Sequence, residues 1–517
     1  MLYEKNLFQK DYRKVDIRLG LCYPNIYRTA MSSLGYNILY NLINEREDTW
    51  CERIIYPNFK SLESNTSSRY FDILSFTLQF EEDYFNVLEI LKISGIPLRR
   101  ENRGKNDPII IAGGPCATAN PMPLADYIDI FIIGEGEDSI TKLLDAHQKH
   151  PDRNLKKFLD IDGIYIPEYD NKVKITTIKD MNEAYHITNP ILSESDDEDY
   201  QSIFNNTIML NVSRGCTRGC RFCMAGYLYR PTRETDWRKL IDIAIENRKN
   251  TGLNKVTLIG AAVSDYKNLD KLIGGLENEG FQISTPSLRI ESITKETLMT
   301  LKSSGLKTIT LAPESIARLR KVINKDILEN KIFTVIKDAS ELDFNIKLYF
   351  LIGIPTESHE DIEELCEYMK KIANMHKNPR RVKFSINPLI PKPHTPLQWE
   401  GYDFKDIKKK TRYIKKEMKN YNIKCESPKK GLVQYILSCG NRGIGEIIEK
   451  SLTKQPTLKE WREVTPEYGL DDLLPWSNID IGINEKFLKI EHRRLRNLKQ
   501  TPWCETSPCY NCGVCEK

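Results

Sequence analysis

Short apolar runs that end in glycine alternate with helix-length stretches over residues 1–190, and this pattern leaves few architectures open. Ile109-Ile110-Ile111 and Ile130-Phe131-Ile132-Ile133 are two such runs, and residues 16–21 and 71–76 read as further strands. Between them, residues 30–46 place Leu34, Ile38, Leu39, Leu42 and Ile43 on one helical face, and 82–94 read as a second helix. Runs that are apolar on both faces belong to buried parallel strands. Repeated βαβ units therefore predict an α/β class with a doubly wound, Rossmann-like sheet over residues 1–192. Ligands of such sheets sit at the carboxyl ends of the strands. Those ends carry Cys22-Tyr23-Pro24-Asn25, Gly113-Gly114-Pro115 and Gly134-Glu135-Gly136-Glu137.

The acidic stretch 193–200, SESDDEDY, reads as a solvated linker. The β/α rhythm then resumes over 201–400, with strands expected at 207–212, 255–260, 283–290, 307–312, 345–351 and 381–387. Six units suggest a partial (β/α)6 barrel whose strand ends share one mouth. Residues 401–517 form an extension. It opens with a basic helix at 405–421, read first as a solvated helix packed by Ile407, Ile414, Met418 and Tyr421, and second as a contact with RNA or another acidic partner.

At 517 residues the chain has room for about three domains. Lys and Arg number 76 against 72 Asp and Glu, a balance that argues against a polyanion-coating protein. No apolar run nears the ~20 residues of a membrane span, and the first residues lack the apolar stretch of a signal peptide. The expectation is a soluble, cytoplasmic protein. Thirteen cysteines are many for such a compartment, and their grouping is informative: three at 216, 220 and 223, four at 504, 509, 512 and 515, the rest scattered. In a reducing compartment, clusters of thiols mean metal and scattered ones mean core filler.

Cys216, Cys220 and Cys223 follow a strand with C-x3-C-x2-C spacing, with Gly215 and Gly219 to fold the loop and Phe222 before the last cysteine. Three thiolates can hold an iron–sulfur cube and leave one iron open for chemistry. Arg214, Arg218 and Arg221 are expected to lie beside the anionic cluster. This motif resembles the radical S-adenosylmethionine (SAM) superfamily. The resemblance implies a [4Fe–4S] cluster on the three cysteines, SAM on the open iron, a low-potential electron donor, and a deoxyadenosyl radical that abstracts hydrogen. It also implies SAM contacts at Phe222, Gly260, Ala261, Arg289, Glu314 and Gly353. The glutamate often found after the second strand is missing from Gly260-Ala261-Ala262-Val263-Ser264-Asp265, where backbone carbonyls, Ser264 or Asp265 could substitute. Glu314 could equally be a helix N-cap. His394, in a segment rich in proline, is read as a structural loop histidine.

The amino-terminal sheet, joined to such a core, resembles the cobalamin-binding domain of B12-dependent radical SAM enzymes. The resemblance implies cobalamin held by Tyr23, Pro24, Gly113, Gly114 and Glu135. The Asp-x-His-x-x-Gly cobalt-ligand motif is absent, since the first histidine is His147. A related sheet without cobalamin is the competing reading. Methylthiotransferases also carry a doubly wound first domain, but strand end 72–77 offers no cysteine where theirs does. In the tail, Cys504-x4-Cys509-x2-Cys512-x2-Cys515 has spacing suited to a structural zinc or a second [4Fe–4S] cluster. The expected function is a cobalamin-dependent radical SAM methyltransferase acting on an unactivated carbon. The sequence does not decide between a protein and an RNA substrate; a glutamine of methyl-coenzyme M reductase is one protein target the resemblance allows. The alternatives are a radical SAM enzyme that modifies RNA or catalyses a rearrangement without cobalamin.

Overall fold

The computed structural model describes residues 2–6, 8–284, 289–303, 306–325, 327–504, 509 and 511–515. Its first domain is built on a six-stranded sheet in the order Thr49–Ile55, Ile17–Tyr23, Ile73–Thr77, Ile109–Gly113, Ile130–Ile132 and Ile164–Tyr165. The first five strands are parallel and the sixth is antiparallel. Alternate residues of these strands feed two cores. Leu19, Leu21 and Ile111 pack under helices Leu34–Asn44 and Glu137–Lys149, while Leu74, Ile110 and Ala112 pack under Asp83–Ile93. The sheet is therefore covered on both faces. Its strand order reverses at Ile17–Tyr23, and the crevice between that strand and Ile73–Thr77 is the switch point where doubly wound folds bind ligands.

Thr49–Ile55 is fully buried, yet it escapes a reading based on apolar runs because it contains Glu52 and Arg53. Arg53 is paired with Glu4 and Glu63, each at 2.6 Å, and Glu52 with Arg18 at 2.6 Å. Burial of these charges is tolerated only because each has a partner.

The second domain has the expected strands, in two parallel sheets. Ile208–Asn211, Lys255–Ile259 and Gln282–Ser284 form one; Thr308–Glu314, Asn345–Ile352, Val382–Pro388 and Asn422–Cys425 form the other. Of the strand expected at 283–290, only Ile283 and Ser284 are strand: 285–288 lie outside the described residues, and Ile290–Ser292 forms a 3-10 turn. The β/α rhythm runs one unit past the six expected, because Asn422–Cys425 adds a parallel strand within the extension. The basic helix, Phe404–Glu417, is the crossover that leads into it. That helix packs by Ile407 and Ile414, and Lys410 is buried at 2.9 Å from Glu357, while Lys408, Lys409 and Arg412 face solvent.

The extension also reaches back to the first domain. Asn120 donates to the carbonyls of Ser438 and Gly440, and the Tyr127 hydroxyl donates to Gly445. Ile479–Asp480 pairs with Val173–Lys174. Among the described residues, no helix is long and apolar enough to cross a membrane.

Candidate active site

The chain leaves Ile208–Asn211 through Ser213–Arg214, which pairs antiparallel with Arg233–Glu234 and delivers the cysteine loop to the carboxyl end of the sheet. Gly215 turns it with φ +84°, and a Cβ there would come within 2.2 Å of the Tyr229 carbonyl oxygen, so no other residue fits. The Cys223 amide then donates to Cys220 O and the Gly226 amide to Cys223 O, which opens the short helix Ala225–Leu228. Asn324 braces the loop by donating to Gly219 O at 3.0 Å. Arg221, fully buried, donates to Glu491, to the carbonyls of Lys321 and Val322, and to Lys499 O at 2.6 Å.

The three thiols are half-buried. Burial pushes Cys220 up to about 11 and raises Cys223, while Lys325 and Arg289 oppose that rise at Cys220. Thiolate is the ligand form, so metal binding must displace these protons. Among the described residues no three Cys, His, Asp or Glu side chains close on a single ion. The donor chemistry, three cysteine thiols on one glycine-turned loop, is what a cluster with one open iron takes, and these three residues would hold it.

The arginines of the loop do not supply the expected free positive charge. Arg214 is paired with Glu137 at 2.7 Å, Arg218 grips Asp265 with two hydrogen bonds of 2.7 and 2.8 Å, and Arg221 meets Glu491. The cations facing Cys220 are Lys325 and Arg289. Lys325 went unremarked in the sequence because it lies just past a helix, far from any motif.

Several buried polar atoms near the loop lack partners: Arg218 Nη1, Ser264 Oγ, Arg289 Nε, Glu291 Oε2 and Ser315 Oγ. Arg289 lies 3.8 Å from Asp265 and 3.5 Å from Glu291, and Glu291 lies 3.9 Å from Arg218, so most of these orphans form one group. Buried polar atoms without partners are rare in folded proteins, and a cluster of them suits a polar ligand such as SAM. Gly260 and Ala261 stand beside a neighbouring cavity. Asp265 is occupied by Arg218, while Ser264 Oγ has no partner; the backbone carbonyls expected as the other substitute remain beside it.

Other sequence-derived positions fall differently. Glu314, in left-handed backbone (φ +67°), meets Lys325 at 2.7 Å; the following helix is capped at Ile316, so Glu314 is not its N-cap. The Gly353 amide donates to Glu357, and its open side meets Ile407, so this turn faces helix Phe404–Glu417 and not the cavity. Phe222 packs half-buried against the core. His394 is buried, lies 6.2 Å from Trp476 and is held low, at about 4, by burial, which fits a structural histidine.

The cavity beside Gly260 lies between the carboxyl ends of the two domains' strands. Its empty space, counted to the open mouth, is ≈ 1540 Å³. The first domain contributes Leu21, Ser75, Thr77, Gln79, Gly113, Gly114 and Gly134–Glu137; the second contributes Arg214, Gly215, Tyr229 and Ile259–Ala261. Helix Leu34–Asn44 adds Gly35, where a Cβ would meet nothing within 4 Å. Tyr23 and Pro24 lie outside this lining: Tyr23 packs edge-on against Tyr36, and Pro24 O accepts from Asn86. Glu135 reaches the rim, but its carboxylate is held by Arg233 at 2.8 and 2.9 Å and by the Ile178 amide. Among the described residues, no histidine lines the cavity. Ser75 and Thr77 had a signal that was missed, being polar residues at the carboxyl end of an otherwise apolar strand.

Two family models match this chain: the N-terminal model of radical SAM proteins over residues 35–167, and the radical SAM superfamily over 210–369. An uncharacterized protein of Methanocaldococcus jannaschii is 34% identical over 474 residues, 89% of this chain and 98% of that one. An uncharacterized methyltransferase of Pyrococcus horikoshii is 24% identical over 51% of this chain and 58% of its own length. The structure of the radical SAM methyltransferase TsrM from Kitasatospora setae, with cobalamin and a [4Fe–4S] cluster bound, shares the fold. Its TM-score is 0.53 at 12% identity, covering 75% of this chain and 78% of that one. A bipartite sheet architecture, three cysteines on one loop, and matches across both domains make the chain a radical SAM enzyme, a member of that superfamily.

Proposed function

We propose that this enzyme is a cobalamin-dependent methyltransferase acting on an unactivated carbon. The observation that carries the reading is the cavity, open at the switch point of one sheet and bordered by the cysteine loop of the other. Its lining fits a large, mostly apolar cofactor: aliphatic side chains, glycines at the strand ends, and a few hydroxyl and amide groups at Ser75, Thr77 and Gln79. When bound, cobalamin supplies methyl transfer, and the cluster supplies the electron that splits SAM.

Cys216, Cys220 and Cys223 would hold the cluster. Ser264, Arg289 and Glu291 offer their unpartnered atoms to the polar end of SAM, and the Gly260–Ala261 backbone borders it. Gly113, Gly114 and Gly35 leave room for cobalamin. Among the described residues that line this space, none is a histidine, so the residues that would hold cobalamin are these glycines together with Ser75, Thr77 and Gln79. Tyr229 faces the same space, and burial raises its phenol so that it stays protonated. The acceptor carbon, on a protein such as methyl-coenzyme M reductase in this reading, approaches between the two sets of strand ends.

Anaerobic purification from cobalamin-fed cells tests this through the absorption spectrum and metal content. Wild-type protein is expected to carry cobalamin, and Gly35→Phe, which fills open space from a helical position, to lose it while keeping iron. Iron-replete wild type free of cobalamin would overturn the reading, as would Gly35→Phe that keeps its cobalamin.

A further inference from the structure

The larger sheet of the second domain has one face that is unlike the inside of a packed barrel. Its strands Thr308–Glu314, Asn345–Ile352, Val382–Pro388 and Asn422–Cys425 are all parallel. Ile309, Ile346, Leu348, Phe384 and Ile386 form its apolar face, packed under helices Glu329–Glu341, His359–Met375 and Phe404–Glu417. The alternate residues turn away from those helices. Among them are Thr308, Thr310, Lys383 and Lys424, all exposed, and Lys347 and Tyr349, both half-buried. Parallel sheets are normally covered on both faces, and barrel interiors are normally filled by apolar side chains. Here the second face is polar and leaves exposed side chains on three of its four strands.

The charges on that face point to an anion. Over 308–312, 345–351, 383–387 and 422–424 the positions turned away from the helices hold no Asp or Glu. The register sets Lys347 directly beside Lys383, and Lys424 beside Ser385, two positions along from Lys383. Neighbouring strands lie about 4.8 Å apart, so two ammonium stems stand together with no carboxylate between them, an unfavourable pairing in an empty sheet. Lys347 Nζ donates to the Tyr349 hydroxyl at 2.5 Å and lies 4.6 Å from the centroid of its ring. Among the described residues, Lys383 and Lys424 have no hydrogen bond or ion pair. Other lysines of this domain are committed, Lys325 to Glu314 and Lys410 to Glu357. The face also leads to the reacting centre. Strand Thr308–Glu314 ends at the Glu314–Lys325 pair, and the preceding Asn324 holds the cysteine loop at Gly219 O.

The layout separates the anions that could lie there. The cations are spread over three strands of an open face, which suits carboxylates spaced along a chain better than one phosphate. Tyr349 is the one aromatic residue turned to this face, and its ring already carries the Lys347 ammonium, a poor platform for stacking nucleobases. We propose that this face is the groove for the acceptor, an acidic polypeptide segment whose carboxylates lie on Lys347, Lys383 and Lys424 while its reacting carbon is carried towards the cysteine loop. The inference rests on the methyltransferase reading above in taking the substrate to be a protein.

A fluorescein-labelled peptide of repeating Glu and Gly is titrated onto the whole iron-loaded chain at low ionic strength and followed by anisotropy. Wild type is expected to bind it, with an affinity that falls as salt rises because the contacts are exposed. Lys347→Gln/Lys383→Gln/Lys424→Gln is expected to bind at least about tenfold more weakly. Two variants are expected to stay within about threefold of wild type. Lys347→Arg/Lys383→Arg/Lys424→Arg keeps the charges, and Lys408→Gln/Lys409→Gln/Arg412→Gln removes three from the solvent-facing side of helix Phe404–Glu417. Absence of binding overturns the proposal, and so does an equal loss in the helix variant. Polyuridylate or pyrophosphate held more tightly than the peptide through the same three lysines would assign the face to RNA or to a phosphorylated small molecule and would also overturn it. Binding is read on protein with and without cobalamin, so this inference and the methyl-transfer reading fail separately.

Discussion

At the scale of single residues, the catalytic loop depends on two that make no contact with substrate. Gly215 is held at φ +84° with the Tyr229 carbonyl against its open side. Gly215→Ala is expected to cost more than the ~1 kcal/mol of an ordinary glycine replacement, because a left-handed strain and a backbone clash add together. Iron per chain measured after anaerobic reconstitution should fall well below wild type; full iron retention would show that the loop can re-form elsewhere. Arg221 buries a full charge to pin the loop from behind. Here the sequence was legible in part. Cysteine spacing and glycines announced the loop, but the direction of its arginines did not follow from their nearness in sequence. Arg214, Arg218 and Arg221 each found a carboxylate on another element, at Glu137, Asp265 and Glu491.

At the scale of elements, helix Phe404–Glu417 shows what periodicity reveals and what it hides. Its seam of Ile407 and Ile414 was readable, and its solvent-facing lysines are the bland ones. Lys410 looks like its neighbours in sequence, yet it is the partner of Glu357, whose side chain is 0% exposed and whose carboxyl is raised by burial. Removing one partner of a buried pair typically costs 3–5 kcal/mol, whereas surface substitutions stay within about 0.5 kcal/mol. Lys410→Ala should lower the thermal midpoint by several degrees and Lys408→Ala/Lys409→Ala should leave it in place; equal midpoints for the two would contradict the assignment. Strand Thr49–Ile55 is the converse case. Its charged pair broke the apolar pattern, because Glu4, Glu63 and Arg18, which neutralise it, come from distant segments.

At the scale of the whole molecule, the order of sheets was legible from strand ends and cysteines, and the joint between them was not. The two domains meet through Arg233 on Glu135 and Arg214 on Glu137, pairs separated by 98 and 77 positions, which no local pattern encodes. Arg233→Ala leaves a buried carboxylate with poorer company and should cost about 3 kcal/mol. Because that joint borders the cavity, cobalamin should be lost more readily than iron, as read from the spectrum after gel filtration. Unchanged stability would mean the joint is carried elsewhere.

The brace behind the cysteine loop has a consequence in time. Asn324, Glu491, Lys499 and Cys504 hold residues 217–221, Thr501 holds Asn324 in turn, and all but Asn324 are made long after the loop itself, 270 positions later for Glu491 and 278 for Lys499. Until they emerge, Arg221 has no carboxylate to meet and the loop is pinned on one side only. Iron and sulfide are therefore best delivered once residue 504 has left the ribosome, and a nascent chain that has not reached it makes a poor recipient.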